Sequence, residues 1–118
     1  MTGTVVVTGV GADTAIGTVT IGADEAVFTG HYPGFPVLPG VCLIEVVRSV
    51  LLTWLGEVGP LAGLDRSRFH RPVRPDEEIT AAVSLVRGDN GLACTATVAV
   101  AGEKAADLRL RFRSGGAA

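Results

Sequence analysis

The stretch that most constrains this chain is the apolar run from Val41 to Leu55. Val41, Ile44, Val47, Leu51, Trp54 and Leu55 recur at helical spacing, and Leu43, Val46, Val50 and Leu52 make the other sides apolar as well. Strands rarely run this long, so the pattern predicts one helix that ends near Gly56 or Gly59-Pro60. A helix apolar nearly all round must be buried. At 118 residues the chain is expected to form one domain, 1–118. A single sheet covers one side of such a helix, so a dimer partner is expected on the other.

The rest of the chain reads as strands. Thr4–Val10 and Ala15–Ile21 flank the turn Gly11-Ala12-Asp13 and suggest a hairpin, and Ala26–Thr29 reads as a short extended piece. After the helix, Arg68–Val73 reads as a short strand bounded by Pro72 and Pro75. Ile79, Ala81, Val83 and Leu85 alternate with more polar neighbours, and Gly88-Asp89-Asn90-Gly91 is a strong hairpin turn signal. Leu92, Cys94, Ala96, Val98 and Val100 line one face of the next strand. Leu108, Leu110 and Phe112 alternate with Asp107, Arg109, Arg111 and Arg113, as in a sheet with one wet face. Ser114–Ala118 reads as a frayed tail. The sum is an α+β chain, an antiparallel β-sheet curled around one long central helix.

Composition excludes several function classes. With 47% hydrophobic and 19% charged residues the chain is globular. A net charge of −2 and only six aromatics argue against nucleic acid. No apolar run is long enough to span a bilayer, and Met1-Thr2-Gly3-Thr4 has no basic leader, so a cytoplasmic location is expected. Cys42 and Cys94 are too few for a disulfide framework or a zinc site. Cys42 reads as a buried thiol rather than a nucleophile.

A stiff loop precedes the helix. Pro33, Pro36 and Pro39 fix backbone angles from Pro33 to Gly40, where Gly34 and Gly40 supply angles other residues avoid, and His31 and Glu45 bracket the loop. Taken alone, His31 reads as a turn histidine and Glu45 as an acid favoured by the helix dipole. Free backbone N–H groups at Gly40 and Val41 could stabilise an oxyanion, although Pro-Gly is also an ordinary way to start a helix.

The whole run from Phe28 to Glu45, with Gly30-His31-Tyr32-Pro33-Gly34-Phe35-Pro36, then Pro39-Gly40-Val41, then an acid fourteen residues after the histidine, resembles the signature of the β-hydroxyacyl-acyl carrier protein dehydratases of type II fatty acid synthesis. Phe69-His70-Arg71-Pro72-Val73-Arg74-Pro75 is similar to a second family strand. The resemblance implies a hotdog fold and dehydration of a (3R)-3-hydroxyacyl thioester to the trans-2-enoyl product. It implies His31 as the base, Glu45 as the acid or water anchor, and a site shared across a dimer. Such acid–base steps are each worth about 10²–10⁴ in rate. Glu45 matches the branch that dehydrates only, where the branch that also isomerises has aspartate. Phe28, Tyr32 and Phe35 are expected to shape the tunnel and loop.

No metal or organic cofactor is implied beyond the phosphopantetheine arm of an acyl carrier protein. Arg68, Arg71 and Arg74 are candidates for docking that acidic carrier. A homodimer is expected, with a trimer of dimers or a heterodimer with a paralogue left open. The family's Glu-Ala-Met-Ala-Gln is here Glu45-Val46-Val47-Arg48-Ser49, which suggests a polyketide or other specialised pathway. Arg48 is expected to point away from Glu45, because an ion pair would favour the ionised acid. The alternatives are a hotdog thioesterase, an acyl-coenzyme A hydratase, or a non-catalytic subunit that pairs with an active paralogue.

Overall fold

The structure, a computed structural model, describes residues 4–22 and 38–113. Six strands, β1 (Val6–Val10), β2 (Thr14–Thr20), β3 (Leu61–Phe69), β4 (Glu78–Gly88), β5 (Gly91–Val100) and β6 (Glu103–Arg113), form one sheet in the order β1-β2-β4-β5-β6-β3. Every neighbouring pair is antiparallel. The helix α1 (Gly40–Leu55) follows β2 in the chain and packs against β1, β2 and β4. This is the α+β hotdog arrangement that the resemblance implies. The extended piece expected at 26–29 and the tail at 114–118 lie outside the described residues.

Local chemistry sets the boundaries. The β1–β2 hairpin closes with the Gly11 amide on the Thr14 carbonyl at 2.8 Å. The β4–β5 hairpin turns at Asp89-Asn90, as its Gly-Asp-Asn-Gly signal predicts. The β5–β6 hairpin turns at Ala101-Gly102, both with positive φ, which matches the right-handed twist of the strands. The helix ends where expected: Gly56 takes φ 85° and its N–H caps the Leu52 carbonyl at 2.9 Å.

The expected strand at Arg68–Val73 is displaced. The strand spans Leu61–Phe69, and only Arg68 and Phe69 of the expected segment belong to it. The amides of His70 and Arg71 still reach the Ala105 carbonyl, but Pro72 has no N–H and the ladder stops there. Register shifts between Leu61 and Gly63 and between Leu64 and Arg66 break the alternation that would have marked the strand.

The inner face of β2, β4, β5 and β6 is dry. Ala15, Val19, Ile79, Ala81, Val83, Cys94, Ala96, Val98, Leu108, Leu110 and Phe112 are buried there. The helix buries Leu43, Val46, Val47, Val50 and Leu51 against it. The apolar stripe is therefore rotated from the expected one: Val47 and Leu51 lie on it, Ile44, Trp54 and Leu55 are half-buried, and Val41 is 66% exposed. The reason is a close approach at β2. An ideal Cβ on Gly17 would lie 2.5 Å from one Val50 methyl and 2.9 Å from the other. The sheet meets the helix there with a bare backbone, and valines fill the space.

Candidate active site

The helix begins without a side-chain cap. Pro39 stands at the N-cap with φ −57° and ψ 139°, and its carbonyl accepts the Cys42 amide at 2.9 Å. Leu38 donates its N–H to the Val73 carbonyl at 2.7 Å, which holds the start of the helix against the segment that follows β3. The first helical N–H groups have no intrahelical partner. They lie beside a cavity of about 540 Å³ lined by Leu38, Gly40, Val41, Leu43 and Phe69 and by residues 70–73. The lining is apolar apart from His70 and Arg71. Gly40 has a packing role besides any chemical one, because a Cβ there would lie 3.0 Å from two carbons of the Phe69 ring.

Glu45 does not line that cavity. It is exposed, one turn beyond Val41 on the helix face turned away from the sheet, and Leu52 continues the same face. Arg48 flanks it, half-buried, and makes no ion pair with Glu45. His31, Phe28, Tyr32 and Phe35 lie outside the described residues. The fold thus brings Gly40, Val41 and Arg71 to one cavity and sets Glu45 on the open helix face adjoining it.

Three expected docking arginines separate by environment. Arg68 is exposed on β3. Arg74 is exposed, and its backbone N–H donates to Glu77 Oε1 at 2.7 Å. Arg71 is different. Its Nη1 donates to the Val100 carbonyl at 3.1 Å and its Nη2 to Glu77 Oε2 at 2.9 Å, with only 18% of its side chain exposed. The guanidinium clasps the 70–77 segment to the end of β5, so Arg71 is not a free docking cation. Glu77 closes the clasp, and the Arg74 amide, helped by the Arg71 guanidinium, holds its carboxyl below the usual value.

Sequence reading missed a second pair. His70 Nε2 lies 3.0 Å from Asp107 Oδ2, and Lys104 Nζ lies 3.3 Å from the same oxygen. The His70 hydrogen bond holds the Asp107 carboxyl below its usual range. Only the β3–β6 register brings the two together. Burial raises the Cys42 thiol and pushes Cys94 up to about 12, as expected for thiols that are not nucleophiles. Among the described residues no group of three or more His, Cys, Asp or Glu side chains could hold a metal ion.

Known proteins resemble this chain in sequence and in fold. The family model described as ApeI-like, ApeI dehydratase, matches residues 8–107. The 3-hydroxyacyl-[acyl-carrier-protein] dehydratase FabZ of Pelotomaculum thermopropionicum is 38% identical over 107 residues, 83% of this chain and 76% of that protein. The FabZ of Bacillus pumilus is 34% identical over 113 residues, 89% of this chain and 78% of that protein. Among solved structures, the dehydratase heterocomplex ApeI:P from Xenorhabdus doucetiae is similar with TM-score 0.79 and 17% identity, over 97% of this chain and 100% of that one. The E. coli PaaI protein of the phenylacetic acid degradation operon gives TM-score 0.73 and 15% identity, over 93% and 82%. At these identities the structures show the fold, and the FabZ relatives and the family model show the lineage: this chain belongs to the ApeI-like and FabZ family of dehydratases.

Proposed function

We propose that this protein is a hydro-lyase that dehydrates a (3R)-3-hydroxyacyl thioester, carried on acyl carrier protein, to the trans-2-enoyl thioester in fatty acid or polyketide synthesis. The observation that carries the reading is the pairing of the family signature, His31 through Glu45, with a helix start that opens on an apolar cavity. In the proposed step His31 takes the C2 proton, the Gly40 and Val41 amides bear the charge that develops on the thioester oxygen, and Glu45 protonates the departing 3-hydroxyl. The C2–H and C3–O bonds break, the C2–C3 double bond forms, and one water leaves. No resident metal or organic cofactor takes part, and the acyl group arrives on the phosphopantetheine arm. Phe28, Tyr32 and Phe35 shape the tunnel.

A glutamate donates a proton at neutral pH only when burial keeps it protonated. Glu45 is exposed in a single protomer, so a covering partner belongs to this reading. Val41 and Leu52 leave the same helix face apolar and open, and among the described residues β3 presents an unpaired edge with Leu61, Leu64 and Phe69 exposed. We infer a homodimer joined on this side, with each His31 facing the other protomer's Glu45. A heterodimer with a paralogue is the second reading, favoured by the heterocomplex among the structural neighbours. No helix among the described residues is long and apolar enough to cross a membrane, and we infer that the enzyme works in the cytoplasm.

The test is intact-mass analysis of a 3-hydroxyacyl carrier protein incubated with wild type, His31→Ala and Glu45→Gln, with the enoyl thioester run in reverse. A loss of about 18 Da in the wild type alone supports the roles. Release of the free carrier thiol means a thioesterase. No mass change in either direction at any chain length points to a binding subunit, which a heterodimer assay with the paralogue would then show.

A further inference from the structure

The outer face of the sheet, away from the helix, carries the charges that the proposed chemistry does not use. The register sorts them into rows across β3, β6 and β5. In one row Gly63 lies opposite Arg111, and the Arg111 guanidinium crosses above Gly63 to hold both oxygens of Asp65, at 2.8 and 3.1 Å. In another, Arg68 lies opposite Asp107, which also receives Lys104 and His70. Both rows contain a carboxylate.

The row between them does not. Arg66 lies directly opposite Arg109, and Arg109 directly opposite Thr95. Among the described residues neither arginine has an ion-pair partner. Asp65, beside Arg66 in sequence, is already spent on Arg111. Like charges directly opposite on one sheet face are destabilising, so two unpartnered guanidiniums in register are a cost the fold carries for some return. A polar cavity of about 210 Å³ opens at the same place, lined by Arg66, Thr95, Ala96, Lys104, Asp107, Leu108 and Arg109.

We propose that this cavity is a phosphate site. A phosphate oxyanion between the Arg66 and Arg109 forks would convert a repulsive pair into two charge-assisted, bidentate contacts. The Thr95 hydroxyl adds a neutral donor. Lys104, 3.3 Å from Asp107 Oδ2, balances that carboxylate, so the two arginines carry the site's net positive charge. The cavity uses outward side chains and leaves the β3 backbone edge free for a partner. The phosphate belongs either to a phosphopantetheine arm or to the ribose phosphate of coenzyme A, and the site stands whichever reaction the chain performs.

The test is a titration of the full chain followed by backbone amide shifts and melting temperature, at constant ionic strength with chloride as counter-salt. The probes are inorganic phosphate, 4′-phosphopantetheine and adenosine 3′,5′-bisphosphate. Saturable shifts at residues 66, 95, 104 and 109 are expected, with at least about tenfold weaker binding in Arg66→Gln or Arg109→Gln. Arg113→Gln, on the same face and outside the cavity, is expected to bind as the wild type does. Arg66→Gln is also expected to melt above wild type without phosphate and to lose the phosphate-dependent rise. Tighter binding of adenosine 3′,5′-bisphosphate assigns the site to coenzyme A thioesters, and tighter binding of phosphopantetheine to a carrier arm. If chloride at equal ionic strength reproduces every effect, or if both arginine variants bind phosphate like wild type, the proposal is overturned.

Discussion

Gly17→Ala is the substitution that most directly probes how the helix is seated. The added Cβ would meet three Val50 carbons at 2.5, 2.9 and 3.2 Å, where carbon pairs are at ease at roughly 3.5–4.0 Å. Val50 cannot turn aside, because both of its methyls are within 2.9 Å and a helical valine has essentially one χ1 rotamer. It is also fully buried, so the helix or β2 must move by nearly an ångström. Overpacking of this kind costs about 1–3 kcal/mol. Replacing a glycine inside a strand returns about 0.5–1 kcal/mol of backbone entropy. The net expectation is a loss of about 1–2 kcal/mol, or several degrees in melting temperature for a domain of this size.

Urea titration with wild type, Gly17→Ala, Val50→Ala and the double variant separates this clash from a general loss. Val50→Ala alone leaves a void and should cost about 1–3 kcal/mol. In the double variant both methyls of residue 50 are gone and only its Cβ, at 3.2 Å, still faces the new methyl on residue 17, which fills part of the void. The pair should therefore be more stable than the sum of the singles by about 1 kcal/mol or more. A Gly17→Ala variant as stable as wild type, with effects additive within about 0.5 kcal/mol, would refute the claim that this glycine sets the helix–sheet distance.

Four further outcomes are expected. Arg71→Ala breaks hydrogen bonds to the Val100 carbonyl and Glu77 and should lower stability by about 2 kcal/mol, read from the urea midpoint. Glu77 titrates lower in the folded chain than its ordinary 4.5, so the stability it adds is full above that value and is lost as pH falls through the lower folded value; Glu77→Gln should flatten the acid limb of melting temperature against pH in that window. Iodoacetamide labelling followed by mass spectrometry should modify Cys94 only on unfolding, because burial pushes its thiol to about 12, and Ala101→Gly should stabilise by about 0.5 kcal/mol, since Ala101 holds φ 52° at a turn.

What the sequence discloses about this fold depends on where water is. The strands β4, β5 and β6 alternate because each keeps one face in the dry core: Ile79, Ala81, Val83 and Leu85 are buried while their neighbours are not. The helix length was legible from its apolar run, but its orientation was not, because a run apolar on every side does not say which side meets the sheet. That choice came from Gly17, a residue whose contribution is the absence of a side chain. The roles proposed for His31 and Glu45 rest on the family signature, since Glu45 in one protomer is an exposed helical acid. β3 was the hardest element to read, and the reason bears on assembly. Leu61, Leu64 and Phe69 share the inner face with Phe112, Leu110 and Ala106 of β6, yet all three are 45–49% exposed where their β6 partners are buried. Alternation shows in sequence when one face is dry, and in a single protomer β3 has neither face dry. The strand that could not be read from the chain alone is thus the strand whose inner face lacks its cover, and the same side of the molecule leaves Val41, Glu45 and Leu52 open on the helix. In the proposed dimer one partner would cover both this strand and Glu45, so a variant that keeps the protomer folded but prevents association should lose activity without losing its sheet.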